Sequence, residues 1–232
     1  MHQEIFTVDG KSFLSKKMGI CLKDLTQKII SDTPTSIDFF KQLISFILTL
    51  NPSLEYGKLD HANQNLFLNK ELYAFFKKFN FDDDSMEHFI FDNIRHAFIN
   101  YCQGGILEVY KHREAEGWYP KIIIDSNLGD RNDIERLNNE VVIYRGTSKD
   151  EYNSKTFGQS WTLDEEIANK FAFEHYEGQP DYENTTRVIL KAKINKQHIY
   201  YYKEENKEQE VIVNSNMIIS NSIDLLEEAL LE

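Results

Sequence analysis

The hydrophobic pattern changes period near residue 120, and that change limits the chain to folds that keep helices and strands in separate stretches. Before it, apolar residues recur at helical spacing. In "TSIDFFKQLISFILTL", Ile37, Phe40, Leu43, Ile44 and Ile47 fall on one face. "FLNKELYAFFKKF" (67–79) predicts a second helix. "DDDSMEHFIFDNIRHAFINYC" (82–102) predicts a third, with Met86, Phe89, Ile90, Ile94, Phe98 and Tyr101 inward. Three aspartates suit the positive end of its dipole, and Gly104 and Gly105 stop it. After residue 120 come short runs rich in Val, Ile and Tyr: "KIIID" (121–125), "EVVIYRG" (140–146), "TTRVILKAKI" (185–194), "HIYYY" (198–202) and "EVIV" (210–213). These are strand signals. Val188, Leu190, Ala192 and Ile194 alternate as one strand face.

A single helical stretch interrupts the strands. "TLDEEIANKFAF" (162–173) opens with Thr162 and has Glu165 three residues on, which reads as a capping box. "MIISNSIDLLEEALLE" predicts a strand and a short helix. The expectation is an α+β protein in two parts. Residues 1–115 form a helical region, residues 116–232 a β-rich one, and "EAEGWYP" (114–120) is the joint.

Charge and composition narrow the partners. A net charge of −12 opposes general binding to nucleic-acid phosphates and to anionic membranes. Cys21 and Cys102 offer neither a disulfide framework nor metal-ligand spacing. The most apolar run, residues 37–50, is too short for a bilayer and holds Lys41. The start lacks a secretory pattern, so the expected location is cytoplasmic. Seven histidines without metal spacing give no expected metal. Neither a dinucleotide Gly-rich fingerprint nor a phosphate loop is present.

Three short pieces carry the chemistry: "YRG" (144–146), "SWT" (160–162) and "EQE" (208–210). Singly each has a plain structural reading. Glu208 and Glu210 suit a solvated strand edge, Arg145 a surface ion pair, Ser160 a turn and Thr162 a helix cap. Together, in this order, "VVIYRG", "QSWTLDEEIANKFAF" and "EQEVIV" resemble the mono-ADP-ribosyltransferase superfamily. The branch is that with an Arg–Ser–Glu signature, found in bacterial toxins, bacteriophage enzymes and vertebrate arginine-specific transferases. The resemblance covers residues 140–220. Thr162 stands where many members have Ser, and the gap from Arg145 to Ser160 is short for the branch.

The resemblance implies a split, mainly antiparallel β core that binds NAD+ in a cleft and consumes it as a substrate, with no metal. Glu210 would stabilise the positive charge that develops on the ribose as nicotinamide leaves. Glu208, two residues earlier on an extended strand, would share its face and orient or deprotonate the acceptor. Ser160 would hydrogen-bond the Glu210 carboxylate. Arg145 would offer a cationic fork to phosphate or ribose oxygens, and Gly146 a close backbone approach to nicotinamide. Tyr144, Trp161 and Thr162 complete the expected dinucleotide contacts. Tyr176 or Tyr182 would stack on nicotinamide, and Tyr201 or Tyr202 would meet the target. The implied activity is ADP-ribosyl transfer to a macromolecule, with protein arginine first and an RNA or DNA base second. The implied setting is a toxin–antitoxin or phage-defence toxin, or a phage enzyme, with an antitoxin or inhibitor protein as partner. NAD+ glycohydrolysis and a silent binding module on the same fold are the alternatives.

Overall fold

The computed structural model describes residues 5–50, 61–112, 118–129, 132–175, 185–218 and 223–230. They belong to two compact units, Met1–Ile123 and Ile124–Glu232.

In the first unit, α1 (Val8–Ser12) runs into a π-helical turn, Phe13–Lys17, and is followed by α2 (Leu22–Asp32) and α3 (Ile37–Leu50). Then come α4 (His61–Phe76), α5 (Met86–Gly104) and α6 (Ile106–Lys111). The periodic residues of α3 are inside: Phe40, Leu43, Ile44 and Ile47 are fully buried. Phe39 gathers an aromatic cluster, meeting Phe40, Phe79, Phe81 and Phe76 edge-on at 4.8, 4.9, 5.0 and 5.8 Å. Such edge-to-face contacts are favoured beyond their buried area.

α5 starts later than its aspartates suggest, because Ser85 is the cap and accepts from the His88 amide at 3.1 Å. Met86 and Phe89 are exposed, not inward, while Arg95 is buried. Arg95 bonds Asp92 Oδ1 through Nε (2.9 Å) and Nη2 (2.6 Å) and lies over the Tyr73 ring at 4.9 Å. Apolar periodicity has no means of seeing a paired polar group in the core. "KIIID" makes one isolated bridge, Ile20↔Ile122, and not a strand. Cys21 N donates to Lys121 O (2.8 Å) and Ile123 N to Gly19 O (2.7 Å). These bonds carry the unit past the expected boundary at 115 to Ile123.

The second unit is built on β1 (Glu140–Ser148), β2 (Ser160–Thr162), β3 (Thr186–Asn195), β4 (Ile199–Tyr202), β5 (Glu210–Val213) and β6 (Asp224–Leu230). Between strands lie α7 (Lys149–Ser154) and α8 (Glu165–Asn169), the latter continuing into a π-helical turn, Lys170–Glu174. The class is therefore α+β. Among the described residues the strands form one sheet and not a split pair: its order is β4-β5-β2-β1-β3-β6, with every pairing antiparallel. β1 and β3 pair from Glu140↔Asn195 to Ser148↔Arg187, whereas β1 and β2 meet only at Tyr144↔Thr162.

One face of the sheet buries Val141, Ile143, Trp161, Val188, Leu190, Val211 and Val213. On the other, Ala168 and Ala172 pack on Ile189, with Tyr144 alongside. The stretch expected as a final helix is strand β6, paired with β3 from Thr186↔Leu230 to Lys191↔Asp224. Leu, Glu and Ala favour helix, but the ladder that β3 offers outweighs that preference. Among the described residues no helix is long and apolar enough to cross a membrane.

Candidate active site

Register and alternation decide which side chains share a face. β2 pairs with β5 as Ser160↔Ile212, Trp161↔Val211 and Thr162↔Glu210. Trp161 and Val211 enter the core, so Ser160, Thr162 and Glu210 stand on the opposite face, that of Tyr144 and Gly146. Tyr144, Thr162 and Glu210 form a row across three strands. Ser160 Oγ donates to Glu210 Oε1 at 2.6 Å, bringing together residues fifty positions apart. A hydroxyl–carboxylate bond of this length is charge-assisted and fixes the carboxylate's orientation.

Glu208 does not join Glu210 on that face. It is exposed, in a turn before β5, and Gln209 between them has a left-handed φ of 47°. Alternation requires extended residues, and that reversal breaks it. The backbone of Glu208 is engaged instead: its carbonyl accepts from Thr162 Oγ1 at 2.7 Å and its amide donates to Asn206 Oδ1 at 3.0 Å. Thr162 Oγ1 also accepts from Asp164 N at 3.1 Å. It is not the helix cap. α8 begins after Asp164, whose side chain accepts from the Glu166 amide at 2.8 Å.

Arg145 lies on the core side of β1, between Tyr144 and Gly146 on the other face. Its fork is closed on Glu151, Nε to Oε1 at 2.7 Å and Nη2 to Oε2 at 2.9 Å. Nη1 donates to the Ser160 carbonyl at 2.5 Å. Arg145 therefore braces the backbone of β2 and does not stand open for phosphate. Glu151 was not evident from sequence. It lies six positions after Arg145 and returns only because Ser148 caps α7, accepting from Glu151 N at 3.2 Å. Burial disfavours its charge, but Arg145, the Thr147 hydroxyl and the Gly158 amide outweigh burial and hold the carboxyl below its usual range.

Gly146 has a packing reason. A Cβ there would lie 2.2 Å from Ala168 O and 2.4 Å from Ala172 N, so α8 approaches β1 only over a glycine. Trp161 is 2% exposed, with its indole N–H on Gly158 O at 3.0 Å, so it is a core residue and not a dinucleotide contact. Tyr201 and Tyr202 are likewise buried and offer no side chain for target contact; Tyr202 Oη donates to Gln209 Oε1 at 3.3 Å. Tyr144 is half-buried, with Lys191 Nζ 5.7 Å from its ring centre. Tyr176 and Tyr182 lie outside the described residues. Among the described residues no group of three His, Cys, Asp or Glu is placed to hold a metal.

Comparisons with models of protein families, with curated proteins and with solved structures found no match.

Proposed function

We propose that this protein is a mono-ADP-ribosyltransferase that moves ADP-ribose from NAD+ to a macromolecular acceptor. The observation that carries the reading is the Ser160–Glu210 hydrogen bond on two adjacent strands. It holds one half-buried carboxylate in a fixed direction on an otherwise polar row of Tyr144 and Thr162. In the reaction the bond between ribose C1′ and the nicotinamide nitrogen breaks, and its electron pair leaves with neutral nicotinamide. Positive charge then spreads over C1′ and the ring oxygen, and a preoriented carboxylate lowers the energy of that state. An acceptor lone pair closes the new bond to C1′ and the acceptor loses a proton. Glu208, exposed in the neighbouring turn, would meet that acceptor from outside the sheet face.

Protein arginine is the favoured acceptor, in keeping with the acidic pair and the chain's net charge of −12; an RNA or DNA base comes second. The setting in keeping with this activity is a toxin of a toxin–antitoxin or phage-defence system, or a phage enzyme, acting in the cytoplasm. One observation favours NAD+ glycohydrolysis as the alternative: Glu208 does not share the face of Glu210, so the acidic pair that would handle a macromolecular acceptor is not assembled on one face. The test is incubation of wild type and Glu210→Ala with NAD+ labelled in its ADP-ribose half, in cell lysate. Label in protein that requires Glu210 is the expected result. Free ADP-ribose alone selects glycohydrolysis. NAD+ left intact by the wild type, or consumed equally by Glu210→Ala, removes the proposal.

A further inference from the structure

We infer that Glu151 is the positioning residue that sets Ser160 against Glu210, acting through Arg145 and through the turn at Gly158. Its two oxygens accept Arg145 Nε (2.7 Å) and Nη2 (2.9 Å), Thr147 Oγ1 (2.7 Å) and the Gly158 amide (3.0 Å). The backbone leading into β2 is then held unit by unit. The Gly158 carbonyl accepts the Trp161 indole (3.0 Å), the Gln159 carbonyl accepts Val213 N (2.9 Å), and the Ser160 carbonyl accepts Arg145 Nη1 (2.5 Å).

Two of the groups in this path, the Gly158 amide and the Arg145 guanidinium, bond Glu151 directly. The arrangement matters because β2 is three residues long and meets β1 at a single register pair, Tyr144↔Thr162. Ser160 lies beyond that pair, where no ladder bond to β1 fixes it and Arg145 takes the ladder's place. The direction of Ser160 Oγ follows from its backbone, and the direction of Glu210 follows from Ser160 Oγ. Arg145 is close-packed in this role: a Cβ on Gly158 would come within 2.6 Å of Nη2, so a larger residue there would push the end of the guanidinium from its place.

The experiment measures two things on the full chain and on Glu151→Gln. One is steady-state NAD+ consumption, which rests on the proposed function. The other is the indole N–H signal of Trp161 in a ¹H–¹⁵N spectrum, which does not. Trp118, the only other tryptophan, is the internal control. The expected kinetic result is a kcat lowered by roughly tenfold to a hundredfold, with KM within about twofold of wild type. The expected spectroscopic result is a displaced Trp161 indole signal that exchanges with solvent faster, with Trp118 unmoved.

An unchanged Trp161 indole overturns the inference whatever the kinetics. So does a lowered KM at unchanged kcat, which would mean that freeing the Arg145 fork lets it take phosphate. If Glu151→Gln does not fold, Glu151→Asp keeps the charge and shortens the reach. Intermediate losses in both readouts are then expected, and wild-type values in both overturn the inference. A wild type that leaves NAD+ untouched removes the proposed function, and the indole signal then decides the role of Glu151.

Discussion

Replacing Gly146 with alanine tests how β1 and α8 are fitted together. The added methyl would meet Ala168 O at 2.2 Å and Ala172 N at 2.4 Å. Both are backbone atoms, so no side chain can swing aside. An ordinary contact needs about 1 Å more, and either α8 retreats or β1 bows. Retreat lifts Ala168 and Ala172, 1% and 0% exposed, from Ile189. It also stretches the two bonds by which Arg187 holds the π-helical turn, Nε to Ala172 O and Nη2 to Phe171 O, each 3.1 Å. Overpacking of this kind costs about 1–3 kcal/mol, and weakening charge-assisted bonds adds to it, so the expected loss is about 2–4 kcal/mol. Urea unfolding followed by fluorescence in a Trp118→Phe background makes Trp161 the sole reporter of the Ile124–Glu232 unit. A loss below about 0.5 kcal/mol, the range of an ordinary surface change, would refute the close fit.

Three further outcomes are expected. Glu208→Gln lowers transfer to a macromolecule more than NAD+ hydrolysis, as measured by partitioning of label between protein and free ADP-ribose; equal losses would deny Glu208 a part in handling the acceptor. The Glu151 carboxyl has a lowered folded pKa, so its stabilisation is complete above the unfolded value of 4.5 and is lost as pH falls through the folded one. The difference in urea midpoint between wild type and Glu151→Gln is therefore flat between about pH 5 and 7 and closes only in stronger acid; a difference that shrinks on approaching about pH 5 from above would contradict the arrangement. Partial burial pushes the Cys102 thiol up to about 12, so iodoacetamide at neutral pH modifies Cys102 more slowly in the folded chain than in urea, as peptide mass mapping would show; equal rates in the two states would count against that environment.

Much of the fold was legible because burial imposes a period. Phe40, Leu43, Ile44 and Ile47 repeat at helical spacing and are buried together. Val188, Leu190, Ala192 and Ile194 alternate and enter one core face. The Ser160–Glu210 pairing was expected only through the resemblance to the transferase superfamily, and the strands that carry the two residues are neighbours. What escaped depends on information outside any local window. β6 is a strand because β3 offers it a ladder, not because of its own residues. Arg145 closes on Glu151 because α7 turns the chain back, and no spacing rule announces that return. Gln209 adopts a left-handed conformation with no glycine to mark it, and that one residue separates Glu208 from the face of Glu210.

The bond between Ser160 and Glu210 also sets a schedule for the growing chain. Ser160 is synthesised fifty residues ahead of its partner, and β2 has a single register pair with β1 to rest on until β5 arrives. Because domains are made N-terminus first, a nascent polypeptide ending before residue 210 carries the serine without the acid it orients. A product of translation interrupted between residues 160 and 210 would therefore lack the pair that the proposed chemistry requires.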